Sequence, residues 1–382
     1  MKGYIIEMKK KVVCLMIIGM MVAVACSSSK RFEKENGKET NESLVSDKES
    51  DSVLETESEN DKDSEADTEN TTSVNEYEKI ESDDKVIDKG GVVVVGDSGY
   101  EIYNYRDDTA GNYASAVTDL ADALSGKANV YNMLIPLSTG IVFPDNLRDE
   151  INSSDEQKAI NDIFSKMGDS VKKVNIYDSL MQHRKEYIYF RTDHHWTALG
   201  AYYAYEKFCE EKGITPEDIN SYQKKEFPEF IGSFYNDTNE EALKANPDTV
   251  TAYVPNADAK MHVTPASGDE YDWDIINDVT NYKPAIKYST FIASDNPFTE
   301  ITNNELSDGS SCVVVKESFG NAFVPFLVDH YQKIYVVDYR YWNGNLKEFV
   351  EKNNVKDVLL LNNLSMIRNQ YLIGQFQKVI EP

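Results

Sequence analysis

The chain has 382 residues, with 66 acidic against 39 basic side chains and a formal net charge of −27. That balance argues against nucleic acid as a partner and makes a neutral substrate easier to hold than a polyanion. The four cysteines include no CxxC pair, which excludes a zinc site built on cysteine.

At the N-terminus, Lys9, Lys10 and Lys11 precede a fourteen-residue apolar run, Val12 to Ala25. A membrane-spanning helix needs about 20 apolar residues, so residues 1–26 read as a secretion signal. The small residues of Ala23-Val24-Ala25-Cys26-Ser27 resemble a bacterial lipobox, which implies that Cys26 bears lipid and opens the mature protein. Residues 27–89 are Ser, Glu, Asp, Asn, Lys and Thr with almost no aromatics, and Ser27 to Gly90 hold 21 acidic and 9 basic residues. Such a segment buries too little apolar surface to offset its ordering entropy. A disordered acidic linker with a reach of roughly 45 Å is expected, tethering a domain over residues 90–382. From Gly91 onward there are 44 acidic and 26 basic residues, so the domain itself carries −18.

In the domain, GVVVVG (Gly91 to Gly96) reads as a strand, Asp97-Ser98-Gly99 as a turn and Tyr100 to Tyr105 as a second strand. Helical spacing of Ala114, Val117, Leu120, Ala121 and Leu124 predicts a helix over 110–125 that Gly126 ends. A strand over Val130 to Leu137, a helix over Ser154 to Met167, a strand over Val174 to Tyr177 and a short helix over Ser179 to Lys185 follow. Tyr187 to Phe190 is strand-like, and a helix runs from near Thr197 to Lys212. Residues 213–305 lose this rhythm and read as an irregular, mostly β insertion with strands over Thr249 to Tyr253, Ala285 to Tyr288 and Thr290 to Ala293. The alternation then resumes: strand Ser311 to Lys316, helix Phe319 to Asp329, strand Lys333 to Asp338, helix Leu346 to Asn353, strand Val358 to Leu361. Repeated strand–helix alternation predicts an α/β fold with a mainly parallel sheet covered on both faces. Cys209 falls in a helix-like run and Cys312 in a valine-rich one, and both are expected as buried free thiols.

Two of the five histidines stand together in Arg191-Thr192-Asp193-His194-His195-Trp196. A carboxylate beside an imidazole can accept from one ring nitrogen and leave the other free as a base. Its nucleophile could be Ser98, in Gly96-Asp97-Ser98, or Ser318, in Glu317-Ser318-Phe319-Gly320. A valine strand delivers Ser318 to the first turn of a helix, where free N–H groups can hold a developing negative charge. Ser98 lies between two strands and reads as part of a hairpin turn. His183, His262 and His330 lack a partner pattern, and Trp196 and Tyr339 read as packing aromatics.

Asp193-His194-His195-Trp196, with Glu317-Ser318-Phe319-Gly320 some 120 residues later, resembles the DHHW family of bacterial envelope proteins, related to the SGNH-like proteins that O-acetylate alginate. The likeness spans roughly residues 90–382 and implies an SGNH-hydrolase-like three-layer domain interrupted by the 213–305 insertion. It implies Asp193 and His195 as the catalytic pair and Ser318 as nucleophile, an order permuted relative to GDSL hydrolases. Backbone N–H groups at Ser318 or Phe319 and the side chain of Asn362 or Asn363 would stabilise an oxyanion, and Arg340 would either hold substrate or close the site, or be a surface arginine paired with a local acid. The Asp-His-His triplet also marks DHH phosphoesterases, which bind two manganese ions. Those need further aspartates at strand ends, and the apolar strands here end in Gly96, Pro136 and Lys316. No metal and no cofactor are expected. The resulting expectation is an extracytoplasmic, lipid-anchored protein that transfers acyl groups, acetyl foremost, on an envelope or extracellular glycan or hydrolyses their esters, with a membrane acyltransferase as candidate partner. The competing expectation is a non-catalytic surface lipoprotein that binds glycan or a partner of a membrane acylation system.

Overall fold

A computed structural model describes residues 77–382; the predicted signal over 1–26, the predicted lipidation site Cys26 and most of the predicted linker lie outside the described residues. Composition puts residues 77–89 in the linker, yet they run along the domain. Ile80 N–H donates to Asp145 Oδ2 at 2.8 Å, and Asp145 N–H donates to Ile80 O at 2.7 Å. Just beyond, β1 (Val86–Asp88) pairs antiparallel with β2 (Val92–Val95), and β2 with β3 (Ser98–Glu101). These reciprocal backbone bonds offset the poor hydrophobicity of the segment. The β2–β3 turn is Gly96-Asp97, with Gly96 at φ 60°, so Ser98 opens β3 instead of lying in the turn.

An eight-stranded sheet forms the centre. Its strands are β4 (Asn129–Ile135), β5 (Val171–Val174), β8 (Ala259–Thr264), β9 (Tyr271–Trp273), β10 (Phe298–Asn303), β11 (Ser311–Lys316), β12 (Lys333–Asp338) and β13 (Asp357–Asn363). The order is β5-β4-β13-β11-β12-β10-β8-β9, with β6 (Gln223–Phe230) and β7 (Asp248–Val254) pairing separately. The five strands from β5 to β12 are parallel, while β10, β8 and β9, all from the insertion, extend the sheet antiparallel. Every residue of β11 and β13 is buried, which requires cover on both faces, and their Val- and Leu-rich sequences meet that need.

The helices are α1 (Asp107–Ala123), α2 (Ser138–Ile141), α3 (Glu156–Ser165), α4 (Tyr177–Gln182), α5 (Ala198–Lys212), α6 (Ser233–Thr238), α7 (Glu241–Ala245), α8 (Gly320–Phe323), α9 (Leu346–Asn353), α10 (Leu364–Ile367) and α11 (Gln370–Ile380). Caps set several starts: Asp155 accepts from Lys158 N–H at 3.0 Å and Asn345 from Glu348 N–H at 2.9 Å. Helix α1 packs on α11 and α3, and α5 packs on α8 and α4. Cys209 and Cys312 are free and buried.

Several predicted elements differ. The strand read over Val174 to Tyr177 lies earlier, at Val171–Val174, and Tyr177 opens α4; the strand read over Tyr100 to Tyr105 ends at Glu101. The helix expected over Phe319 to Asp329 stops at Phe323 and continues as a 3₁₀ turn, Val324–His330, because Pro325 has no N–H to carry the α ladder. Ala285 to Tyr288 is 3₁₀ (Pro284–Thr290), with Pro284 pre-set for a helical first turn. Thr290 to Ala293 is no strand either, since Ile292, Ala293 and Ser294 have φ of 44°, 57° and 69°.

Candidate active site

Tyr187 to Phe190 and Trp196 form a tight loop whose legs meet in one bridge, Tyr189 with Trp196. Phe190 N–H donates to His195 O at 3.2 Å and Thr197 N–H to Ile188 O at 2.9 Å. Thr197 then caps α5, accepting from Gly200 N–H at 3.3 Å. A Cβ on Gly200 would lie 2.5 Å from Ile188 O, so only glycine lets α5 approach this closely. Trp196 is fully buried, and its indole N–H donates to Phe319 O at 2.9 Å, tying the loop to the turn that carries Ser318.

That tie brings the two sequence motifs together. His195 Nε2 lies 2.8 Å from Ser318 Oγ, and its Nδ1 lies 2.6 Å from Asp193 Oδ1. Asp193 Oδ1 also accepts from His195 N–H at 3.0 Å, and Oδ2 from Ser233 N–H at 2.8 Å. Burial opposes ionisation of Asp193, but the His194 and His195 rings and the bonds from His195 and Ser233 outweigh it, holding the carboxyl well below the usual range. An ionised Asp193 fixes the proton on Nδ1 and leaves Nε2 to accept from the serine hydroxyl.

His194 faces the other way. Its Nδ1 lies 2.6 Å from Ser233 Oγ, and burial followed by the neighbouring His195 lowers its pKa. Among the described residues, one group, Asp193, His194 and His195, brings metal-ligating atoms within 4.8 Å of one another. Asp193 is bonded to His195, His195 also to Ser318, and His194 to Ser233.

Much of the frame comes from the insertion, which sequence periodicity did not resolve. Buried Asp248 on β7 accepts from Thr192 N–H at 2.8 Å, from Thr192 Oγ1 at 2.6 Å and from the Tyr187 hydroxyl. Gly232 N–H donates to Thr192 Oγ1 at 3.0 Å and Phe234 N–H to Thr192 O at 3.0 Å. Tyr288 stacks on His195 with ring centres 4.0 Å apart. Asp295 accepts from Lys316 Nζ at 3.1 Å and Asn321 Nδ2 at 2.8 Å.

Arg340, expected to hold substrate or close the site, is committed elsewhere. It donates to Asp338 from Nε at 2.8 Å and Nη2 at 2.6 Å, and pairs with Asp295 at 2.9 Å. Lys316 joins Asp338 at 3.1 Å, so two cations and two carboxylates neutralise one another beneath the Ser318 turn. Asn362 and Asn363 diverge. Asn362 Nδ2 donates to the Tyr113 hydroxyl at 3.2 Å on the α1 side, whereas Asn363 N–H donates to Glu317 Oε1 at 3.1 Å. The Asn363 side-chain oxygen caps α10 through Met366 N–H at 3.2 Å. Glu317 Oε2 accepts Phe319 N–H at 3.0 Å, so of the two backbone oxyanion donors expected, Phe319 is engaged. Burial raises the Glu317 pKa against the pull of Arg340 and these N–H groups. Ser98 Oγ bonds to Asp97 Oδ1 at 3.1 Å.

Parallel strands covered on both faces, with the serine turn at the C-terminal end of β11, define an SGNH-like α/β domain. A profile described as DHHW protein matches residues 26–337, and the chain belongs to the DHHW family. A DHHW family protein from Eubacterium siraeum DSM 15702 is 29% identical with a TM-score of 0.69, the match covering 78% of this chain and 99% of that one. PatB1 of Bacillus cereus is 20% identical with a TM-score of 0.61, over 76% and 99% of the two chains. A PatB1 structure with a sulfonyl adduct is 19% identical with a TM-score of 0.59, over 76% and 98%. The PatB1 likeness is one of fold. No curated protein matches the sequence. Among the described residues no helix is long and apolar enough to cross a membrane.

Proposed function

We propose that this protein moves acyl groups, acetyl foremost, through a Ser318 ester, transferring them to a hydroxyl of an envelope or extracellular glycan or releasing them to water. The observation that carries this reading is the bonded series Asp193 Oδ1, His195 Nδ1, His195 Nε2 and Ser318 Oγ at 2.6 and 2.8 Å. Ser318 Oγ attacks the ester carbonyl as His195 Nε2 takes its proton, and Asp193 stabilises the imidazolium. The carbon–oxygen bond to the leaving alcohol then breaks, and His195 returns the proton to that alcohol. In the second half, a sugar hydroxyl or water gives its proton to His195 and attacks the acyl carbonyl, the bond to Ser318 Oγ breaks, and His195 returns the proton to Ser318 Oγ. The Ser318 N–H and the Asn363 side-chain amide are the donors assigned to the oxyanion; Arg340 contributes through the charge cluster beneath the turn.

The PatB1 sulfonyl adduct makes sulfonyl reagents suitable probes of Ser318 in this related fold. In the same reading residues 1–26 direct export, Cys26 carries the lipid, and residues 27–76 tether the domain. A membrane acyltransferase would supply the acyl group. Acetate release from an acetylated glycan, measured with and without hydroxyl acceptors, tests the function. Release or transfer that Ser318→Ala abolishes supports it; equal activity in Ser318→Ala overturns it.

A further inference from the structure

Tyr288 is a buried residue of the insertion with two contacts to the proposed machinery. Its ring lies over the His195 imidazole at 4.0 Å between centroids and 14° between planes. Its hydroxyl donates to the main-chain oxygen of Ser318 at 3.1 Å. One side chain therefore touches both the base and the nucleophile's backbone, and it comes from neither sequence motif.

The segment that presents Tyr288 is held firmly. On one side Asn277 N–H donates to Thr290 O at 2.8 Å, and Thr290 Oγ1 donates to Asn277 O at 2.7 Å. Three consecutive left-handed residues follow, Ile292, Ala293 and Ser294, and Ile292 N–H donates to Ile275 O at 2.9 Å. A β-branched residue at positive φ is strained and persists only where the surroundings over-determine it. Asp295 supplies the next anchor, bonded to Lys316 and Asn321 and paired with Arg340. The strained turn reverses the chain between the ring on His195 and the carboxylate beneath Ser318.

Resting on the Ser318–His195 reading above, we propose that Tyr288 is a positioning residue for His195. Its face fixes the imidazole plane so that Nε2 points at Ser318 Oγ, and it favours the imidazolium that forms when the serine proton moves to Nε2. An aromatic face stacked on a desolvated cation stabilises it through the ring quadrupole. The neutral hydroxyl serves a separate purpose, fixing the Ser318 carbonyl, so face and hydroxyl can be tested apart.

The experiment is a double-mutant cycle on turnover of p-nitrophenyl acetate by the full-length protein, with melting temperature as the check on folding. Tyr288→Leu removes the face and is expected to lower kcat about tenfold with little change in KM. Tyr288→Phe keeps the face and is expected to stay within about threefold of wild type. In a His195→Ala background, where residual catalysis by the rest of the site persists, Tyr288→Leu should cost nothing further, because its effect passes through the imidazole. An equal loss in both backgrounds, or a Phe variant as impaired as Leu, overturns the proposal. Should Tyr288→Leu fail to fold, Tyr288→Met, closer in volume, takes its place in the cycle with the same expected outcomes. His195→Ala with wild-type activity would instead count against the Ser318–His195 reading itself.

Discussion

Gly232 approaches Asp193 so closely that a Cβ on the glycine would lie 2.2 Å from both Cβ and Oδ2 of the aspartate. The contact lets Ser233 N–H reach the carboxylate that orients His195. Gly232→Ala must push Asp193 aside, and a displacement near 1 Å costs on the order of 100-fold in rate. Ester turnover of the purified variant, alongside its melting temperature, checks this.

Asp193→Asn tests the electrostatic half of the same arrangement. The amide nearly preserves shape but can donate to His195 Nδ1, which favours the proton on Nε2 and removes the acceptor for Ser318. A loss of kcat on the order of 10⁴-fold is expected with the fold intact. A loss below tenfold would mean that Asp193 does not set the tautomer.

The buried ion cluster makes a stability prediction. Asp295→Asn leaves Lys316 and Arg340 with Asp338 as their carboxylate partner, and breaking a buried pair on one side costs on the order of 3 kcal/mol. Adding Lys316→Met rebalances the charge and should recover part of that loss. Urea unfolding of the single and double variants gives both numbers.

Glu156 should make stability fall with rising pH. It is 3% exposed, and burial pushes its pKa up to about 8 against the Leu137 N–H and the charge of Arg148. The folded state therefore holds this proton more tightly than the unfolded chain. Its contribution is fully present below the ordinary value of 4.5 and declines by about 1.4 kcal/mol per unit as pH climbs toward 8. Glu156→Gln should flatten urea midpoints between pH 5 and 8. Asp193 and Asp295, held below the carboxylate range, have the opposite sign and lose their contribution as acid protonates them.

What could be read from the sequence was local. Ser311–Lys316 and Lys333–Asp338 announce themselves as strands because continuous apolar runs bounded by polar residues suit a sheet covered on both faces. The pairing of His195 with Ser318 came through the resemblance of Asp193-His194-His195-Trp196 and Glu317-Ser318-Phe319-Gly320 to the DHHW family; the residues alone left Ser98 and Ser318 both open as nucleophile. The supports were hidden for a physical reason. Gly232 and Asp295 lie in irregular backbone, Tyr288 in a short 3₁₀ segment and Asp248 at the first position of β7, where no periodicity marks which side chains turn inward. Asp248 forms the clamp on Thr192 from 56 residues away. Arg340 misled because a cation after a strand end looks available until its carboxylates, one of them Asp295 in the insertion, are located.

The most direct test of the central claim is mass spectrometry of the protein after treatment with a sulfonyl fluoride or fluorophosphonate. The account predicts one adduct, on Ser318, lost in Ser318→Ala, strongly slowed in His195→Ala and retained in Ser98→Ala. A folded protein that stays unlabelled, or labelling that persists in Ser318→Ala, would contradict it.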